Sequence, residues 1–179
     1  LTSADICEEV ARIYGYDNFE IKTTCSSLIP VRNTVEKSDE TLVKDILVQR
    51  FKLHEVHSYI WCDGPKYKKL GIDVEENVQI LNIASPENSN IRNSMLPTLL
   101  TFAYENRQFA PEFGIFEIGR VVTGTCEEGL CDERKHLGVV LFDKTKTEKE
   151  LYFKAVEMIR YLTDEIKHNV VTFKKSEIQ

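Results

Sequence analysis

The sequence predicts an α+β fold, with a mostly antiparallel sheet flanked by helices. Three observations lead there. Helical periodicities and strand-like alternations are interspersed along the chain. Two strong strand patterns, 114–122 and 136–142, are separated only by an acidic, glycine-containing connection, which makes them a hairpin. No glycine-rich strand-to-helix turn is present, so neither a dinucleotide fingerprint nor a phosphate-binding P-loop supports a doubly wound parallel sheet.

The elements follow in order. Ile6, Val10, Ile13 and Tyr14 share one helical face, Thr2 and Asp5 form a capping box, and Gly15 stops the helix. Residues 18–35 read as a loop punctuated by Pro30, and the domain boundary is placed there, giving 1–36 and 37–179. A second helix is expected after Ser38 as N-cap, burying the row Val43, Leu47 and Phe51. In 56–61, Val56, Ser58 and Ile60 alternate with the large residues His57, Tyr59 and Trp61, the pattern of a strand. A short helix is expected at 65–70 and a strand at 78–83.

The stretch 94–109 reads as a helix capped by Ser94. Pro97 is tolerated in its first turn, and Leu96, Leu99, Leu100 and Ala103 face the core. After the hairpin, Thr147 and Glu150 make a second capping box. They open a long helix with the stripe Leu151, Ala155, Ile159, Leu162 and Ile166, followed by a short strand at 170–173.

Composition narrows the function. The chain has 179 residues, with 23 Lys and Arg against 29 Asp and Glu, a net charge of −6. A pI near 5.3 argues against an autonomous nucleic-acid binder, and no DNA partner is expected. No apolar run approaches the roughly 20 residues a membrane span needs. Leu1 is not preceded by a signal-like region, so the chain reads as a piece of a longer, cytoplasmic protein. Five irregularly spaced cysteines fit reduced thiols better than a disulfide framework.

Several residue groups are candidates for chemistry. Asp5, Glu8, Glu9 and Arg12 lie at i, i+3, i+4 and i+7 on the first helix, beside its apolar stripe. Carboxylate oxygens are the ligands Mg²⁺ prefers. Spacing alone favours a solvated acidic face with a Glu8–Arg12 pair, because surface acidic stripes are common. Cys126 and Cys131, followed by His136, resemble half of a zinc site, but no second cysteine pair completes it, and they read as free thiols in a loop. His54 and His57 read as structural or surface residues, and Lys66, Lys68 and Lys69 as solvated surface. No catalytic constellation is found.

Three stretches carry a family resemblance. Asp5-Ile6-Cys7-Glu8-Glu9-Val10-Ala11-Arg12-Ile13-Tyr14-Gly15-Tyr16-Asp17-Asn18 resembles a segment of the bacterial-type phenylalanyl-tRNA synthetase β subunit. So do Asn82-Ile83-Ala84-Ser85-Pro86-Glu87 through Ser89, Arg92 and Ser94-Met95-Leu96-Pro97-Thr98-Leu99-Leu100. Phe116-Glu117-Ile118-Gly119-Arg120-Val121-Val122 is the third. Order and spacing match over essentially the whole chain. The departures are mild: Phe19, Ala84, Asn93 and Thr98.

The resemblance implies the end of a small domain followed by a class II synthetase-like core module without its own active site, cut short after Gln179. The α subunit of that family makes phenylalanyl-adenylate and charges tRNA(Phe). The β subunit supplies scaffold and tRNA contacts. Class II catalysis holds ATP phosphates with arginines. Here Arg92, Arg107 and Arg120 are the arginines in plausible places, and Arg120 reads as the end of a strand in a structural pair. The resemblance also implies that Asp5, Glu8 and Glu9 are ligands of a Mg²⁺ shared with the α subunit, a preceding aspartate lying before Leu1. The alternative is a stand-alone interaction domain built on the same fold, with no part in aminoacylation.

Overall fold

The computed structural model describes residues 1–69, 71, 78–83, 85, 88–167 and 171–173. The chain forms two compact units, Leu1–Asn33 and Thr34–Gln179.

The first unit is helix α1 (Ser3–Tyr14) and a 3₁₀ turn (Tyr16–Asn18). The expected capping box is present. Thr2 Oγ1 accepts from the Asp5 N–H, and the Asp5 carboxylate accepts from the Thr2 N–H. Gly15, at φ 93°, adopts the left-handed backbone that ends the helix. Its apolar residues Ile6, Val10 and Ile13 are exposed within this unit.

The second unit opens with α2 (Val35–Gln49), whose N-cap is Thr34, not Ser38. Thr34 Oγ1 accepts from the Lys37 N–H at 3.2 Å. Ser38, one turn inside, spends its hydroxyl on the Thr34 carbonyl at 3.1 Å. The helix ends at Arg50, and Lys52 takes the left-handed φ of 57° that turns the chain into β1 (His54–Glu55). Further on come β2 (Trp61–Cys62), α3 (Gly64–Lys69), β3 (Asn90–Ile91), α4 (Leu96–Asn106), β4 (Glu112–Thr125), β5 (Cys131–Asp143) and α5 (Glu148–Lys167).

The main sheet has the order β1-β4-β5. Its frame is the antiparallel β4–β5 hairpin, with Phe116 opposite Val139 and Gly119 opposite His136. β1 adds in parallel, His54 beside Ile115. Alternate residues of β4 face two helical layers. Phe116 packs with Ile46, Leu47, Phe51 and Leu53 from α2 and its exit, and with Met158 and Leu162 of α5. Ile115 and Val121 pack against Leu99 and Ala103 of α4 and against Met95, which precedes it. Gly138 is small because α4 lies directly on it: a Cβ there would meet Leu99 Cδ1 at 2.6 Å and Met95 Cβ at 2.7 Å.

Several local expectations are corrected. The strand at 56–61 is reduced to two-residue strands at its flanks, because its central residues bond irregularly to Glu117 and Arg92 instead of to one partner strand. The strand at 78–83 is only a bridge, Gln79 opposite Asn90. On α4, Leu99 and Ala103 are buried, but Leu96 and Leu100 are about half exposed, since the short helix offers the sheet a narrow stripe. On α5 the buried residues are Val156, Met158 and Leu162, so the core row is rotated from the expected one and Ile159 is left exposed. Residues 171–173 are not in a strand. Leu70, Ala84, Pro86, Glu87 and Val170 lie outside the described residues.

Candidate functional site

Among the described residues, the most buried charged side chains are Glu117 and Arg92, which enters just before α4 and reaches across the face of β4. Its Nε donates to the Arg120 carbonyl at 2.9 Å, Nη1 to Ser58 Oγ at 2.5 Å and Nη2 to Glu117 Oε1 at 3.0 Å. Ser58 Oγ donates to Glu117 Oε2 at 2.6 Å, and the Ser58 N–H donates to Oε1 at 3.3 Å. Arg92 and Glu117 are each only 3% exposed. Burying a charge is costly unless it is paired and hydrogen-bonded, and here each charge has several partners. Gly119 makes the space. A Cβ there would collide with the Arg92 guanidinium and come within 2.9 Å of Glu117 Oε1.

This cluster was missed as a unit by sequence reading. Arg92, Glu117 and Gly119 lie in two different motifs, and nothing in their spacing shows that the motifs meet. The consequence is chemical: every nitrogen of the guanidinium already donates to a protein oxygen, on three sides of the group. Arg107 donates to the Tyr104 carbonyl and stacks on its ring at 3.5 Å. Arg120 pairs with Glu133 at 3.0 Å, a structural pair as expected, though from inside β4 and not at its end.

The acidic stripe is exposed. Asp5 is held below the ordinary carboxylate range by the Thr2 backbone N–H and then its hydroxyl. Glu9 forms an ion pair with Arg12, where the expected partner was Glu8. Two of the three carboxylates are thus engaged, and among the described residues no cluster of three metal-ligating side chains is assembled. As arranged, Asp5, Glu8 and Glu9 do not fit a Mg²⁺ site on their own.

The remaining candidates stay apart. Cys126 and Cys131 are free and exposed at the hairpin tip, while His136 sits further along β5. His57 Nε2 lies 3.4 Å from Glu55 Oε1. Lys66, Lys68 and Lys69 occupy the last turn of α3. A second ionic chain joins α2 to the sheet. Glu40 meets Lys135 at 3.1 Å and Lys44 at 3.2 Å, and Lys44 meets Glu55 at 2.7 Å. Lys135 and then Lys44 pull the Glu40 pKa down to about 2. No described helix is long and apolar enough to cross a membrane.

The architecture resembles that of the pyrrolysyl tRNA synthetase PylSc of Desulfitobacterium hafniense. The TM-score is 0.58 over 72% of this chain and 44% of that one, at 17% identity. This shared fold is that of the class II synthetases. The β subunit of phenylalanine–tRNA ligase from Leptospira interrogans serovar copenhageni is 32% identical over 149 residues, 82% of this chain and 18% of the relative. That from Carboxydothermus hydrogenoformans is 35% identical over 144 residues, 75% of this chain and 17% of the relative. The chain therefore spans about a fifth of the length of these curated relatives. Residues 21–179 match the model of the phenylalanyl tRNA synthetase beta chain CLM domain, and the chain belongs to that family.

Proposed function

We propose that this chain is the non-catalytic core module of a phenylalanine–tRNA ligase β subunit, residues 37–179, preceded by the end of a small domain, residues 1–36. Its role is to support an α subunit that joins phenylalanine to tRNA(Phe) at the expense of ATP, in the cytoplasm. The observation that carries the non-catalytic part is Arg92. Each of its three nitrogens already donates to Glu117, Ser58 or the Arg120 carbonyl, and the side chain is only 3% exposed, so it is not presented to stabilise charge developing on a phosphate. In this reading Asp5, Glu8 and Glu9 act as Mg²⁺ ligands only in the assembled enzyme, after Asp5 leaves Thr2 and Glu9 leaves Arg12.

The test is pyrophosphate exchange with ATP and phenylalanine. The chain alone should match a no-enzyme control. Turnover clearly above that control would end the non-catalytic reading. Capture of the α subunit of the same cell by this chain tests the partnership.

A further inference from the structure

Helix α4 seals only part of the sheet face beneath it. Leu99 and Ala103 are buried against that face, whereas Leu100 and Tyr104, on the neighbouring stripe of the helix, are 54% and 64% exposed. Between this stripe and β5 runs an open groove of about 720 Å³. It is lined by Leu100, Ala103 and Tyr104 from the helix and by Val140 and Phe142 from the strand. Val140 and Phe142 are two residues apart on β5 and so share one face of the sheet. The volume falls in the range of small-ligand clefts, roughly 300–1,000 Å³.

Two features make this groove more than an exposed apolar strip. Its aromatic rings are already held. The Arg107 guanidinium lies over the Tyr104 ring, 3.5 Å from its centre, and donates to the Tyr104 carbonyl. The Phe142 ring packs on Phe113, with centroids 5.0 Å apart at 33°. Rings fixed in advance lose little freedom when a ligand covers them. The second feature is charge. Lys66 and Arg107 line the groove against a single carboxylate, Glu105, in a chain whose net charge is −6. Among the described residues, neither Lys66 nor Arg107 forms an ion pair, with Glu105 or with any other acid. Elsewhere Lys44, Arg92, Arg120, Lys135 and Lys146 all have acidic partners.

We propose that this groove binds a small monoanion with a flat apolar body, an aryl-substituted carboxylate. Its ring covers Tyr104 and Phe142, with Leu100 and Ala103 against the ring edge. Its carboxylate meets Lys66 and the free edge of the Arg107 guanidinium. A cation of the same shape would meet two like charges, and a small anion without the ring would leave the apolar lining uncovered. The site uses neither the Arg92 cluster nor the acidic stripe of α1, so it stands apart from the subunit role.

The experiment titrates the 179-residue chain with phenylpropanoate, with phenylpropylamine and with acetate, following backbone amide shifts by nuclear magnetic resonance. Phenylpropanoate should give saturable shifts centred on Leu100, Tyr104, Val140 and Phe142. It should bind at least about threefold more tightly than the amine, the scale of an exposed ion pair. Lys66→Glu should abolish that preference, and Leu100→Asp should weaken phenylpropanoate about threefold or more. Both positions are exposed, and thermal melts check that the variants are folded. Equal or tighter binding of the amine would overturn the proposal. So would shifts centred elsewhere, the absence of saturation, or acetate acting on the same amides as strongly as phenylpropanoate. Folded variants that bind like wild type would overturn it as well.

Discussion

Arg92 Nη2 lies 3.0 Å from Glu117 Oε1, and the two side chains are sealed from water between α4 and β4. Removing one partner should leave the other charge buried and uncompensated, at a cost of about 3–5 kcal/mol. Glu117→Ala should therefore destabilise far more than Glu133→Ala, whose exposed pair with Arg120 should contribute about 0–1 kcal/mol. Urea titrations of the two variants check this. Equal losses would mean that the buried cluster does not hold the hairpin to the rest of the unit.

The space under Arg92 is as strict as the pair itself. Gly119→Ala should push the guanidinium off Glu117 and cost about 1–3 kcal/mol, as overpacking does. Gly129→Ala, at the hairpin tip with φ 78°, meets no neighbour. It should instead show only the smaller cost of left-handed backbone, roughly 1–2 kcal/mol. Comparing both melts in the Arg92→Met background separates the two causes: the Gly119→Ala cost should shrink there and the Gly129→Ala cost should not.

Helix packing yields a second contrast. Leu47 is completely buried against Phe116, so Leu47→Ala should cost about 2–5 kcal/mol. Leu100 on α4 is 54% exposed, so Leu100→Ala should cost less than about 1 kcal/mol. Denaturant midpoints measure both, and a loss at Leu100 as large as that at Leu47 would contradict the observed face of α4.

Acid should weaken the fold through Glu40. Its carboxyl is depressed from 4.5 to about 2 by Lys135 and Lys44. A depressed carboxylate contributes stability above its unfolded pKa and loses it as pH falls through the folded one. The contribution should be full above pH 4.5 and decline towards about pH 2. Glu40→Gln should flatten the pH dependence of stability over that window and lower stability at pH 7. A variant with the wild-type slope would place the acid sensitivity elsewhere.

Glu8→Gln with Glu9→Gln tests the acidic stripe in the assembled enzyme. Gln keeps nearly the helix propensity of Glu, so α1 should persist by circular dichroism. Association of the α subunit, followed at several Mg²⁺ concentrations, should lose its dependence on the cation in the double variant. An identical response in both proteins would leave the stripe as a solvated helical face.

Much of this protein was legible in its local sequence. Thr2 with Asp5 and Thr147 with Glu150 announced two helix starts, and each box closes through bonds three residues apart. The hairpin was legible because both its strands carry their pattern without help. Local signals suffice wherever the partners are close in the chain. They failed at Ser38, where Thr34 offered a competing cap one turn earlier, and at 56–61, where alternation was real but no single partner strand ran its length. Only the tertiary structure joined Ser58, Arg92 and Glu117, which are separated by 34 and 25 residues along the chain. Their meeting depends on how α4 lies across β4, and that is decided by which faces of Leu99, Met95 and Ile115 fill the space between them. A buried charge cluster has no local period, so its existence follows from packing and not from spacing.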